Sequence, residues 1–269
     1  MPNPRFLART EAKNLRVEIW INGIPAALLV PGEADGIVSV PLNEFIVPGA
    51  NILGVMLHAG PLASRSADPW PDHATAAAYN GPASLRLLAA QYATGQPVQQ
   101  ESQPALATIE WQGAAEPVPL LIEREFAGVD ALGRWAWQEA QTFAALDADL
   151  RGRALDYLSG LHALLAEGQF ETFITESDVK IAEYARAYGI ARGPVRNGML
   201  EALKSESAKG KLRPVPSGDI DLRLVAGGRM IECLRTDRHH ALEFSNGEGP
   251  AFFLPVMIGI LGLDWRILR

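Results

Sequence analysis

Cysteine is nearly absent from this chain of 269 residues, which has Cys233 and no second cysteine. No intrachain disulfide can form, so nothing indicates adaptation to an oxidising compartment. Long apolar runs are also missing: the longest, residues 251–263, contains Pro255 and two glycines and is too short to cross a bilayer. The first residues lack the apolar stretch of a secretory signal. These absences predict a soluble, cytoplasmic protein that does not enter a membrane.

Basic residues are outnumbered, with 24 Lys and Arg against 31 Asp and Glu, which leaves a net charge of −7. This balance argues against sequence-independent binding to nucleic acid, which needs a basic face. Hydrophobic residues make up 48% of the chain and charged residues 20%, as in a globular protein. The length suffices for two ordinary domains.

Short strands separated by turns are the pattern of residues 14–58. Residues 15–21 alternate between apolar and mostly polar side chains, which is typical of a half-buried strand. The Asn22-Gly23 pair that follows is a strong hairpin signal, because both residues tolerate positive φ. A second turn, Pro48-Gly49, separates two further apolar runs.

The first domain is predicted to span residues 1–125 as an all-β antiparallel sandwich of the jelly-roll type. Further strands are expected at residues 83–89 and 105–111. Prolines support a change of fold class along the chain, because 14 of the 19 lie in residues 1–125. Helix interiors exclude proline, whereas turns and sheet edges accept it.

The segment from Leu42 through the Pro48-Gly49 turn to Val55 resembles the jelly-roll, galactose-binding-like sandwiches attached to many glycoside hydrolases. In those sandwiches a strand ends in a Pro-Gly-x-Asn turn and resumes as alternating apolar residues. The resemblance implies the fold, together with a role in carbohydrate binding or as a spacer.

The second domain is predicted to span residues 126–269 as an α+β domain. Helices are expected over about 131–207, with Asp147 as an N-cap and a stripe of apolar residues from Leu150 to Leu165. Strands are expected over about 220–268 as a meander on which the helices pack. These strands include a hairpin around Gly227-Gly228, then residues 252–258 and 261–268.

The meander of the second domain, which closes with Trp265-Arg266-Ile267, resembles the NTF2-like and cystatin-like α+β domains. That resemblance implies a pocket between the helices and the sheet. The polar residues expected to meet there are Tyr157, His162, Tyr184, Glu232 and His240. It also implies an alternative function, an enzyme acting on a small apolar substrate.

The long connection after residue 58 carries the largest group of functional side chains in the chain: His58, Arg65, Asp68, Trp70, Asp72, His73 and Tyr79. Loops of this length are usually functional, and binding residues concentrate on loops held by rigid scaffolds. Carboxylates beside an aromatic ring suit a sugar. The alternative is an ordered surface loop or a contact with the second domain.

Other reactive residue types offer weak signals for chemistry. Cys233 lies in an apolar strand and is expected to be a small buried hydrophobe, and His239-His240 is expected at a hairpin end. The chain has no phosphate-binding glycine motif, nucleophile elbow or zinc-binding helix motif. The sequence therefore predicts no metal and no cofactor, and it identifies no catalytic residue.

Three functions are compatible with these observations. The first is a non-catalytic protein that binds a small molecule, a carbohydrate or a protein partner. The second is the NTF2-like enzyme, and the third is a structural or protein-interaction module, which could be a homo-oligomer.

Overall fold

A computed structural model describes residues 5–29, 36–58, 77–78, 83–92, 105–113, 117–118, 120–128, 132–237, 239–247 and 251–269. The described chain divides into two compact units. Unit 1 contains the described residues up to Arg134 together with Ala187–Gly189, and unit 2 contains the rest from Trp135 onward.

Unit 1 consists almost entirely of β-strands. Its strands are β1 (Arg5–Lys13), β2 (Arg16–Ile21), β3 (Ile24–Leu29), β4 (Gly36–Pro41), β5 (Ala50–His58), β6 (Ala77–Ala78), β7 (Ser84–Tyr92), β8 (Ala105–Gln112), β9 (Pro117–Val118) and β10 (Leu120–Ala127). They form two four-stranded antiparallel sheets, in the orders β4-β1-β7-β8 and β10-β5-β2-β3, and β6 pairs with β9. The predicted strands at 15–21, 83–89 and 105–111 are confirmed as β2, β7 and β8.

The two predicted turns in unit 1 are confirmed by their backbone angles. Asn22 and Gly23 have φ of 53° and 72°, which is the geometry that joins β2 to β3 through a two-residue turn. Gly49 has φ of 83° in the turn before β5. The Asn51 side chain holds this turn, accepting from the Val47 N–H at 2.8 Å and donating to the Val47 and Gly49 carbonyls. The buried Asn51 therefore satisfies backbone groups of the turn, including both the N–H and the carbonyl of Val47.

Unit 2 combines four helices with two antiparallel sheets. The helices are α1 (Ala148–Ala166), α2 (Phe170–Glu176), α3 (Asp178–Tyr188) and α4 (Arg192–Lys209). The strands are β11 (Lys211–Leu212), β12 (Ile220–Val225), β13 (Met230–Arg235), β14 (Leu242–Ser245), β15 (Phe252–Leu254), β16 (Met257–Leu261) and β17 (Asp264–Ile267). The sheet orders are β11-β14-β15 and β12-β13-β16-β17.

The apolar stripe of α1 is confirmed: its buried side chains are Leu150, Ala154, Leu158, Leu161 and Leu165. They share one core with apolar residues of both sheets, including Leu222, Ile231 and Phe244. The predicted cap is also confirmed, because the Asp147 carboxylate accepts from the Leu150 N–H at 2.8 Å.

The sequence suggested a helix beginning near residue 131, but no α-helix lies within the described residues 132–147. Residues 136–139 form one 3₁₀ turn, and α1 starts at Ala148. Between them, the Gln141 N–H donates to Ile260 and the Phe143 N–H to Gly228, both at 2.9 Å. Bonds to the strand region replace the helical bonds these residues would otherwise make.

The expected meander is also divided. Residues 252–258 do not form one strand, because β15 ends before Pro255, which has no N–H for a ladder bond, and β16 begins after it. Residues 261–268 contain a turn, with φ of 64° at Gly262. β14 and β15 accordingly belong to a separate small sheet with β11.

Candidate functional site

The three-stranded sheet of unit 2 presents one face to the core and places charged and aromatic side chains on the other. Leu212 pairs with Phe244, and Phe244 pairs with Phe252; all three pack in the core of unit 2. Side chains alternate along a strand, so the next residue on each strand belongs to the opposite face. The residues on that face are Arg213, Glu243 and Phe253, which lie in a row: Arg213 N–H donates to the Glu243 carbonyl at 2.9 Å, and Glu243 pairs with Phe253.

The segment between β13 and β14 adds Asp237, His239 and His240 to this row. The rings of His239 and His240 lie 5.7 and 5.8 Å from the ring of Phe253. We call these six residues, Arg213, Asp237, His239, His240, Glu243 and Phe253, the Arg213 face.

Arg213 links the two carboxylates of this face. Its Nη1 donates to Glu243 Oε1 at 2.9 Å and its Nη2 donates to Asp237 Oδ2 at 2.8 Å. The hydrogen bonds to Glu243 and then to Asp237 raise the pKa of Arg213. Burial by itself would raise the pKa of Asp237, but the bonds from Arg213 and from the His239 N–H lower it.

Glu243 is the most unusual member of the face, because it is a carboxylate only 4% exposed. Oε1 is bonded to Arg213, whereas Oε2 has no hydrogen-bond partner among the described residues. His239 Nδ1 lies 3.6 Å from Oε2, beyond hydrogen-bond distance. A buried carboxylate oxygen without a donor is costly, so a donor from outside the protein that displaces the side chains covering this oxygen would relieve that cost.

His240 is kept neutral at physiological pH. Burial, followed by the positive charge of Lys180 and then His239, lowers its pKa to about 4. Lys180 belongs to α3, and its Nζ donates to the carbonyl of Pro255, between β15 and β16, at 2.7 Å.

Two more side chains hold the backbone on which Arg213 lies. His162 of α1 has Nε2 at 3.1 Å from the Arg213 carbonyl, so this nitrogen is the donor, because a carbonyl only accepts. Arg235 Nη1 donates to the Pro214 carbonyl at 2.8 Å. Arg213 is therefore positioned by α1 and β13 as well as by the bond from its own N–H to the Glu243 carbonyl.

The five residues expected to share a pocket have separate partners. Tyr157 donates to Glu176 at 2.8 Å and stacks on Trp265, and its pKa is raised by burial and by Glu176. Glu232 is buried and forms an ion pair with Arg223, its cross-strand neighbour. Tyr184 is 40% exposed. His240 belongs to the Arg213 face, whereas His162 contacts the backbone carbonyl of Arg213 from α1.

Of the seven residues proposed for the loop after residue 58, the structure describes one. His58 ends β5, opposite Arg16 of β2. Arg65, Asp68, Trp70, Asp72, His73 and Tyr79 lie outside the described residues.

Cys233 is fully buried, as predicted, and burial followed by the nearby Glu232 charge raises the pKa of its thiol. It accordingly lacks the thiolate character of a nucleophile. Within the described residues, no three His, Cys, Asp or Glu side chains are grouped so that they could hold a metal ion.

Sequence patterns did not identify three members of the face. Arg213 lies in a stretch that looked like a polar loop, and Glu243 and Phe253 each lie on the side of a short strand opposite its core residues. The available signal was the charged residue inside the apolar run 241–244, combined with the neighbouring histidines.

Comparisons with known proteins give no match: no family model, curated protein or solved structure resembles this chain. None of the helices in the described part of the chain is long and apolar enough to cross a membrane.

Proposed function

We propose that this protein is a non-catalytic ligand-binding protein and that its ligand binds at the Arg213 face. The observation that carries the proposal is the Glu243 carboxylate, which is buried and whose Oε2 has no donor within the described part of the chain, next to a Phe253 ring that is 39% exposed. A ligand that donates to Oε2 and covers Phe253 would satisfy the polar atom and remove apolar surface from water.

The state of the titratable groups favours binding over catalysis. The pKa values of the Cys233 thiol and the Tyr157 phenol are raised, which keeps both groups protonated at neutral pH. The pKa of His240, about 4, makes it a weak base at neutral pH. The thiol and the phenol are therefore held in the form that is unsuitable for a nucleophile, and His240 is neutral but has little affinity for a proton.

Unit 1 is proposed to be a jelly-roll-like sandwich that acts as a scaffold or carries its own contacts with a partner. Its two four-stranded antiparallel sheets and the turn built on Gly49 and Asn51 support this assignment. A cytoplasmic location is proposed because the chain has a single, buried cysteine.

A thermal-shift screen with a chemically diverse set of small molecules tests the proposed function. A ligand that binds only the folded state raises the apparent melting temperature. We expect at least one compound to stabilise the native protein but not the Phe253→Ala variant. The control is Leu263→Ala, which removes an apolar side chain of similar size that is 97% exposed in the same unit. If every stabilising compound acts equally on the native protein and on both variants, the ligand does not bind at this face.

A further inference from the structure

We infer that the Arg213 face recognises a neutral carbohydrate, through an edge of hydroxyl groups and one apolar face of a sugar ring. This inference rests on the proposed function, since it names the ligand class for the same site. It follows from the charge, the hydrogen-bonding groups and the aromatic surface that the face presents.

Charge at the face is balanced among the described side chains. Arg213 is positive, and it contacts the negative Asp237 and Glu243 at 2.8 and 2.9 Å. Lys180 adds a second positive charge close enough to lower the pKa of His240, which is itself neutral at pH 7. Apart from the titratable His239, two positive and two negative groups among the described residues leave little net attraction for an ion, and desolvating a charged ligand would be costly. A neutral ligand fits this balance.

Hydrogen-bond donors and acceptors alternate across the face. A guanidinium has five N–H donors, and the contacts of Arg213 with Asp237 and Glu243 use one on each terminal nitrogen. Glu243 Oε2 is an acceptor without a donor among the described residues. A hydroxyl group both donates and accepts, so neighbouring hydroxyls of one ring can serve the carboxylate and the guanidinium together. A protonated amine could only donate, and a carboxylate ligand could only accept.

Phe253 provides the apolar part of the recognition. It is directly opposite Glu243 in the strand register, and 39% of it remains exposed between the two histidine rings. An exposed ring next to a buried carboxylate matches a ligand that has an apolar C–H face and polar groups along its rim. A pyranose ring has this construction.

Titration of the full chain with matched sugars tests the inference. The panel contains the methyl glycosides of glucose, galactose, mannose and xylose, together with glucuronate and glucosamine, which place a negative or a positive charge on the same ring. Binding is measured by saturation-transfer NMR and by the shift in melting temperature, for the native protein and for Phe253→Ala, Phe253→Tyr, Asp237→Asn and Leu263→Ala.

We expect at least one neutral glycoside to bind the native protein and the two charged sugars to bind more weakly. Phe253→Ala should weaken binding about tenfold, because the aromatic contact is lost, while Phe253→Tyr should retain it. Asp237→Asn should also weaken binding, because it releases Arg213, and Leu263→Ala should have no effect.

Two results would overturn the inference, and they differ in what they leave standing. If only charged sugars or compounds from the diverse set bind, and that binding depends on Phe253, the ligand class is wrong and the binding site is retained. If neutral glycosides bind with equal affinity to Phe253→Ala, or if nothing in either set binds with dependence on Phe253, both the ligand class and the proposed site are wrong.

Discussion

Acidification should destabilise this protein through His240 in particular. The ordinary pKa of a histidine is 6.5, and burial, Lys180 and His239 lower that of His240 to about 4 in the folded chain. The unfolded chain therefore binds the proton more readily than the folded one. The stabilisation from this group is complete above pH 6.5, decreases as the pH falls through 6.5, and is lost near pH 4.

The size of the effect follows from the two pKa values. One pKa unit corresponds to about 1.4 kcal/mol, so the full difference is about 3–4 kcal/mol. Between pH 7.5 and pH 5, the free energy of unfolding should decrease by about 2 kcal/mol from His240 alone.

Urea unfolding followed by circular dichroism at these two pH values measures this change. Carboxylates also respond to acid, so the informative quantity is the difference between the native protein and His240→Gln. His240→Gln should lose about 2 kcal/mol less than the native protein on acidification, because glutamine does not titrate.

The adjacent His239→Gln variant is the matched control. The His239 side chain is 53% exposed, and its removal should leave most of the pH dependence in place. If His240→Gln loses as much stability as the native protein on acidification, then burial of His240 does not control its protonation, and the reasoning is refuted.

Three other predictions concern stability and reactivity. Gly228→Ala should destabilise the protein by at least about 2 kcal/mol more than Gly227→Ala in a thermal or urea melt. Both glycines have positive φ, but a Cβ at Gly228 would lie 2.1 Å from the Phe143 carbonyl oxygen, whereas one at Gly227 meets nothing within 4 Å. Equal losses of stability in the two variants would contradict this contact. Asn51→Ala should cost about 2–3 kcal/mol in the same melt, since three hydrogen bonds to the turn before β5 are lost, and a loss below about 0.5 kcal/mol would show that the turn does not need them. Cys233 should react with a thiol reagent only after unfolding, because it is fully buried and its pKa is raised; rapid labelling of the native protein would contradict its burial.

Local patterns predicted the turns and most strands correctly. Asn22-Gly23 and Pro48-Gly49 adopt the expected turns because positive φ is a property of the residues themselves. The stripe of α1 and the cap at Asp147 were also predictable, since helical spacing and capping depend on residues a few positions apart.

Patterns failed where distant segments compete for the backbone. The residues before α1 looked helical, but their N–H groups bond to Ile260 and Gly228, more than 80 positions further along the chain. The strand expected over 252–258 is divided at Pro255, and the two parts join different sheets. No window of a dozen residues contains that information.

The candidate site was likewise only partly predictable from the sequence. His239, His240 and Asp237 were visible as neighbours in the sequence, although they were expected at a hairpin end without a ligand. The role of Glu243 was hidden, because its burial results from Arg213, which lies 30 residues earlier, and from Phe253 on the next strand.

By itself, the sequence determined the turns, the apolar faces and the mixture of strands and helices, because these depend on the conformational preferences of neighbouring residues. The tertiary structure alone decided that Arg213, Glu243 and Phe253 form one row, and that His240 stays neutral. The physical reason is that burial and electrostatic environment are properties of the space around a side chain. That space is filled by residues from separate strands and from a helix.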